Sequence, residues 1–383
     1  MLFKAPSLNS DERETIHQIN EIRKSLQYAL FNPKRWFGLL RRTTLARAVR
    51  GSNSIEGYNA SVEDAIAAAE GEEPLHDGKT ETWHAIKGYQ QAMTFVLQLA
   101  ADPHFRLNEG YIRSLHYMIL HYDISKHPGC WRPGPIFVRD EAQRETVYEG
   151  PDADMVPELF REFVTELNYE MGDRSPMVRA AMAHLNLVMI HPFSDGNGRM
   201  GRVLHTLILA REGILDPHFC SIEEYLGRNT PEYYGALAKT GKGSWQPGND
   251  TTEWVRFCLK AHFYQATTLL RRTRETEKVW SELEVLVTKL HLPERAIYAL
   301  SDAAFGWKVR NASYRTVADV SDQTASRDLK QLVDQGLLIA GGEKRGRFYV
   351  ASEHLRQIRE RLRETRQVVQ PKGPMQYVLR LEP

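Results

Sequence analysis

Residues 191–202 read His-Pro-Phe-Ser-Asp-Gly-Asn-Gly-Arg-Met-Gly-Arg. The run gathers an imidazole, a carboxylate, a glycine-flanked turn and two arginines. Those are the residue types needed to hold a metal-bound polyphosphate and to deprotonate a hydroxyl beside it. His191 is the one group nearby that can act as a base close to neutral pH. Gly196, Asn197 and Gly198 let successive backbone N–H groups point into one concavity, an anion nest. A helix beginning at 198 would add the positive end of its dipole. Arg199 and Arg202 are three residues apart, hence neighbours on one helix face, and can reach further phosphates. Asp195 suits a hard cation such as Mg²⁺ bridging phosphate oxygens. Taken singly, a His before Pro usually marks a helix end and Gly-Asn-Gly a turn. Their combination in this order makes coincidence a poor explanation.

The elements needed to position these groups are mostly helical. Leu185 to Ile190 is nearly continuous apolar sequence, so His191 falls where a buried helix ends, and Pro192 stops that helix. Apolar spacing predicts helices over 11–30, 78–101, 108–120, 154–168, 176–190, 198–212, 231–240 and 252–273. One strand signal interrupts them. Ile136 to Val138 and Thr146 to Tyr148, punctuated by Pro133, Pro135, Gly150 and Pro151, read as a β-hairpin. Near residue 280 the style changes. Residues 283–300 read as one or two connecting helices, and 321–335 as a polar-faced helix. A second hairpin follows, from Gly336 to Ala340 and Arg347 to Val350. Helix, turn, helix and wing is the winged-helix pattern.

The chain has 383 residues, a formal net charge of +1 and 42% hydrophobic residues. Such composition is ordinary for a globular protein and gives no global field for nucleic acid or membrane. Cys130, Cys220 and Cys258 show neither metal-ligand nor disulfide-framework spacing. The expected compartment is therefore a reducing cytoplasm. The first residues carry no apolar signal-peptide core, and no apolar run approaches the ~20 residues of a membrane span.

The pattern His191-Pro192-Phe193-x-Asp195-Gly196-Asn197-Gly198-Arg199-x-x-Arg202 resembles the signature of the Fic (Fido-fold) family, without a departure. With its helical surroundings and hairpin, the resemblance covers roughly residues 10–275. It implies a mainly α fold: a Fic helical core with a β-hairpin flap, followed here by a winged-helix domain. The expected organisation is an N-terminal helical region over 1–105, a catalytic domain over 106–275 and a linker helix with winged helix over 276–383. It also implies transfer of AMP from ATP to a protein hydroxyl. His191 would accept the proton of a Ser, Thr or Tyr, and Asp195 would hold Mg²⁺. Gly196, Asn197, Gly198, Arg199, Met200, Gly201 and Arg202 would line the nucleotide phosphates. Tyr234, after Asn229, resembles the segment bordering the adenine; a tyrosine pair on a helix is otherwise simple packing. Phosphorylating relatives carry Ala and Lys in the loop, so Gly196, Gly198 and Arg199 favour nucleotidyl transfer. Dimers occur in the family, which makes a homodimer a further expectation.

Upstream, Ser52-Asn53-Ser54-Ile55-Glu56-Gly57 fits the family's inhibitory motif, S/T-x-x-x-E-G/N. A glutamate paired with Arg202 would occupy the arginine meant for the terminal phosphate. In some relatives this glutamate also positions a water for AMP removal. The plain alternative is a helix end, with Glu56 solvated and Gly57 past the last turn.

Residues 301–383 hold 15 Lys/Arg against 10 Asp/Glu. Arg327, Lys330, Lys344, Arg345 and Arg347 could form a DNA-binding face, although Asp319, Asp322, Asp328 and Asp334 share the region. Packing or dimerisation is the other use of such a module. Three functions therefore stand at this level: an autoinhibited protein adenylyltransferase, a nucleotide-sensing transcriptional regulator, and a Fic enzyme using another donor or removing AMP.

Overall fold

The computed structural model describes residues 1–30, 35–70, 80–140, 145–168, 175–213, 215–343 and 346–363. In chain order the first helices are α1 (Ser10–Leu30), α2 (Phe37–Ile55), α3 (Val62–Glu70), α4 (Thr80–Leu99) and α5 (Glu109–Leu120). The hairpin β1 (Phe137–Asp140) and β2 (Glu145–Glu149) precedes α6 (Val156–Asn168), α7 (Pro176–Ile190) and α8 (Asn197–Arg211). Then come α9 (Glu223–Arg228), α10 (Thr230–Gly241) and α11 (Thr252–Lys289). The chain closes with α12 (Ala296–Ala304), α13 (Asn311–Ala318), α14 (Asp322–Asp334), β3 (Leu338–Gly341), β4 (Phe348–Ala351) and α15 (Glu353–Leu362). Both sheets are two-stranded and antiparallel.

The core is built around α7 and α8, the helices on either side of the 191–197 loop. Leu185, Leu187, Ile190, Met200, Val203, Leu204 and Leu207 are all buried. The two helices approach closely because residue 201 is glycine: a Cβ there would lie 2.6 Å from the His184 ring. Helix α11 crosses this pair, and Trp254 donates its indole N–H to the Ala181 carbonyl at 2.7 Å. Helix α1 lies on α11, with Glu12 paired to Arg256 at 2.7 Å and Arg23 beside His262.

Three differences from the sequence reading matter. The helix expected to end at 273 continues to Lys289. It contains neither Gly nor Pro, and its second half finds burial for Val279, Trp280, Leu283 and Val287. The boundary expected at 275/276 thus lies inside one helix. Helix α2 was not anticipated, because its buried face is made of Thr43, Thr44, Gly51, Ser52 and Asn53 as much as of aliphatics, which blurs the apolar period. Helices α3 and α9 were missed as well, being only 9 and 6 residues long.

In the C-terminal part, α14 and the β3–β4 hairpin lie where a helix and a second hairpin were expected, α13 and α15 were not anticipated, and Val309 bridges Tyr349. Arg327, Lys330 and Arg347 are exposed, whereas Lys344 and Arg345 lie outside the described residues. Asp328 does not share that face: it is buried, bonded to Arg295 at 2.6 Å and to the Tyr314 hydroxyl at 3.0 Å. No helix of the described residues is long and apolar enough to cross a membrane.

Candidate active site

His191 caps α7 in the left-handed conformation, φ 50°. For a residue with a side chain this is a strained backbone that its surroundings must hold. Its Nδ1 lies 3.0 Å from the Val188 carbonyl. A carbonyl can only accept, so Nδ1 carries the proton and Nε2 is the bare, basic nitrogen. Burial, the main influence, pushes the imidazole down to about 4. It is therefore neutral at pH 7, as a proton acceptor must be.

The loop after His191 is pinned from several sides. The Asn197 side chain accepts from the Phe193 N–H at 3.0 Å and donates to the Phe193 carbonyl at 2.8 Å. His116 accepts from the Gly129 N–H through Nδ1, so its Nε2–H donates to the Asp195 carbonyl at 2.9 Å. The same imidazole stacks on Phe193, ring centroids 3.7 Å apart. Gly196 takes φ 77°, a region where glycine has no steric penalty, and α8 starts at Asn197 with its free N–H groups facing the loop.

Arg199 is fully buried, and none of its three guanidinium nitrogens has a hydrogen-bond partner among the described residues. Its nearest charge is Asp195 at 3.7 Å, and it stands over the Tyr58 ring at 5.3 Å. A buried cation without hydrogen bonds is expensive unless an anion arrives to satisfy it. Asp195 also meets Lys126 at 3.1 Å. Burial pushes the Asp195 carboxyl up, but Arg199 and Lys126 outweigh it and hold the pKa below the ordinary carboxylate value.

Arg202 is buried too, and it is occupied. Its Nε donates to the Ser52 hydroxyl at 2.7 Å, and one terminal nitrogen donates to Glu56 Oε1 at 2.6 Å and to the Ser52 carbonyl at 3.2 Å. Burial would lower its pKa, yet the Glu56 charge prevails and raises it. The other terminal nitrogen has no hydrogen-bond partner among the described residues. A Cβ built on Gly198 would lie 2.6 Å from Glu56 Oε1. The Glu56 carboxylate therefore rests against the first turn of α8, where an anion nest would receive a phosphate. It is not the solvated charge of a bare helix end, although Gly57 does follow α2 with φ 82°.

Other expected contacts sit less directly. The Met200 side chain is in the core and Gly201 packs on His184, so neither offers a side chain to a ligand. Tyr234 is half exposed, with its hydroxyl 3.4 Å from the Ile55 carbonyl at the end of α2. Its neighbour Tyr233 is buried against His184. Sequence reasoning missed Lys126, His116 and Tyr58. Each is remote in sequence from the loop, and no spacing rule connects them.

Residues 106–209 match the Fic/DOC family model. The fold agrees: a Fic family protein from Desulfovibrio desulfuricans G20 superposes with a TM-score of 0.59 at 22% identity, over 92% of this chain and 99% of that one. A Fic domain containing signaling protein from Bacteroides thetaiotaomicron VPI-5482 gives 0.56 at 22%, over 68% and 96%. The chain therefore carries a Fic/DOC match over residues 106–209, within a fold shared with those solved proteins. Among curated relatives, it is 24% identical over 261 residues to the protein adenylyltransferase fic-1 of Caenorhabditis briggsae. That match takes in 67% of this chain and spans only 46% of the relative's length.

Proposed function

We propose that this protein transfers AMP from ATP to a hydroxyl of a protein target or of itself, and that Glu56 holds the reaction off. In the transfer, the Ser, Thr or Tyr oxygen attacks the α-phosphorus. An O–P bond forms, the bond to the β-phosphate bridging oxygen breaks, and pyrophosphate leaves. His191 Nε2 takes the hydroxyl proton. The nest at Gly196, Asn197 and Gly198 receives phosphate oxygens through backbone N–H groups, and Arg199 and Arg202 take the distal phosphates. The observation that carries this reading is the pairing of a bare His191 Nε2 with a buried Arg199, whose guanidinium makes no hydrogen bond among the described residues, across one short loop.

Asp195 fits Mg²⁺, which is commonly held by one or two carboxylates plus substrate phosphates. Among the described residues no cluster of three ligating side chains exists, so the remaining ligands would come from nucleotide and water. Such an ion supplies charge neutralisation along the triphosphate. On the protein side, Asp195 is held by the His116 bond to its carbonyl and by Lys126, which must yield when a cation binds.

The hairpin is the surface for the target. The outer edge of β2 is engaged, since Glu149 donates to the Gly243 carbonyl at 2.9 Å and bridges Ser244. The β1 edge is the one left for an extended segment to pair with. We read α12 to α15 with their hairpin as a winged-helix module, with DNA contact through α14 an outcome to be tested on the full chain.

The test uses Glu56→Gly, with ATP labelled at the α- or the γ-phosphate, and Glu56→Gly/His191→Ala as control. Protein-bound label from the α position only, absent in the control, is the expected result. Label from the γ position, or from UTP or GTP in preference to ATP, contradicts the AMP-transfer reading.

A further inference from the structure

The strained backbone of His191 must be held by something, and its carbonyl leads to Arg132. This arginine is 4% exposed. Its Nε donates to the His191 carbonyl at 2.9 Å, and its backbone N–H donates to the Pro192 carbonyl at 3.0 Å. One terminal nitrogen donates to the Gly134 carbonyl at 2.6 Å and the other to the Pro151 carbonyl. Gly134 precedes β1 and Pro151 follows β2, so one guanidinium spans both feet of the hairpin and the catalytic loop. Its hydrogen bonds go to neutral carbonyls, and burial lowers its pKa. A buried guanidinium with no ion pair among the described residues is not a cheap way to stabilise a fold.

The packing around it is equally close. A Cβ on Gly150 would lie 2.7 Å from Ile136, 3.5 Å from Arg132 and 3.7 Å from the His191 Cβ. The Gly150 N–H donates to the Ile136 carbonyl at 3.2 Å. On the second strand, the Tyr148 hydroxyl donates to the Met189 carbonyl at 2.8 Å, two residues before His191. The hairpin and the base are thus built as one unit with Arg132 at the junction.

We propose that Arg132 is a positioning residue that sets the distance between His191 Nε2 and any strand docked on β1, and so brings the target oxygen into register with the base. The proposal rests on the functional reading above. Arg132 contacts none of the groups assigned to the nucleotide, which separates binding from transfer. A displacement of about 1 Å at the reacting atoms can lower a rate ~100-fold without touching nucleotide affinity. Lysine should not substitute, because one ammonium cannot reach three carbonyls in a planar fork.

The test places Arg132→Lys and Arg132→Gln in the Glu56→Gly background. Three quantities are measured: ATP affinity by calorimetry, the rate of self-labelling with α-labelled ATP, and backbone hydrogen exchange. We expect ATP affinity to stay within about twofold while labelling falls ~100-fold in both variants. Exchange should rise at 134–138, 145–150 and 191–193 together. Unchanged labelling, or a parallel loss of ATP affinity and labelling, overturns the positioning role. Where Glu56→Gly with Arg132 intact labels nothing, it is the functional reading that fails. Exchange then still decides: no rise at 191–193 in Arg132→Lys overturns the proposal.

Discussion

At the scale of single residues, protonation decides whether the site can work. His191 is held at about 4 by burial, so it remains a neutral base well below the pH at which a free imidazole, near 6.5, would be protonated. The sign is clear: transfer needs the neutral form, so activity is present above the folded pKa and lost as pH falls through it. In the Glu56→Gly variant, which also loses a carboxylate that raises the His191 pKa, the acid limb of kcat/KM, which reports the free enzyme, should lie at about 4 or below. A limb near 6.5 would contradict this placement of the imidazole. His191→Ala should lower transfer by ~100-fold or more and leave ATP affinity nearly unchanged. The candidate chemistry at this scale could be read from residue types, which suggest a base, an anion nest and two arginines for phosphate, and the structure brings those residues together around one loop. What the sequence hid was occupancy. Nothing in the spacing of Lys126 reveals that it rests on Asp195, or that Arg132 clamps His191.

At the scale of elements, the decisive piece is α2. It ends in Ser52 and Ile55, and Glu56 follows immediately, so the position of this helix sets the Glu56–Arg202 bond. Its seat on α9 requires glycine: a Cβ at residue 51 would lie 2.4 Å from the Glu223 carbonyl, and one at 227 would lie 2.7 Å from the Gly51 Cα. Gly51→Ala must push α2 outward. Such overpacking typically costs about 1 to 3 kcal/mol. We expect a lower melting temperature together with faster self-labelling, because the displaced helix carries Glu56 away from Arg202. A destabilised variant with unchanged labelling would show that Glu56 does not depend on the seating of α2. Ser52→Ala, which removes the 2.7 Å bond to Arg202 Nε and leaves Glu56 in place, should act in the same direction but more weakly. The Ser52–Gly57 motif was readable while the helix that delivers it was not, since polar and glycine residues on a buried face defeat apolar periodicity. By contrast α7 and α14 were legible almost to the residue. Each has clear stop or start chemistry: Pro192 after α7, and the Ser321 hydroxyl accepting from the Thr324 N–H at 3.3 Å.

At the scale of the whole molecule, two features tie distant parts together. The first is a set of fully buried histidines, His116, His184, His205 and His262, all pushed below the ordinary imidazole value by burial. The unfolded chain takes up their protons near pH 6.5 and the folded chain does not. Stability is therefore lost as pH falls below about 6.5, by ~1.4 kcal/mol per pH unit for each group. A melting temperature that fails to drop between pH 7 and pH 5 would contradict this. The second is the reach of α2 toward the C-terminal part. Arg42 pairs with Asp302 at 2.5 Å, Arg35 with Glu294, and Arg47 stands 5.1 Å over the Trp307 ring. The helix that ends at Glu56 thus begins against α12. Asp302→Asn should loosen it and raise self-labelling about fivefold; an unchanged rate would mean that the C-terminal part does not bear on Glu56. The continuity of α11 through residue 276 belongs with this coupling, and sequence style could not show it, because a helix without Gly or Pro gives no sign of where it ends.

The measurement that bears most directly on the central claim is the rate of AMP incorporation, followed by intact mass, for the parent protein and for Glu56→Gly under the same ATP and Mg²⁺. If Glu56 occupies Arg202 and the first turn of α8 in place of phosphate, the variant should gain an AMP adduct on the order of 100-fold faster than the parent, and His191→Ala should erase it. Equal rates in parent and variant, or an adduct that survives His191→Ala, would contradict the claim.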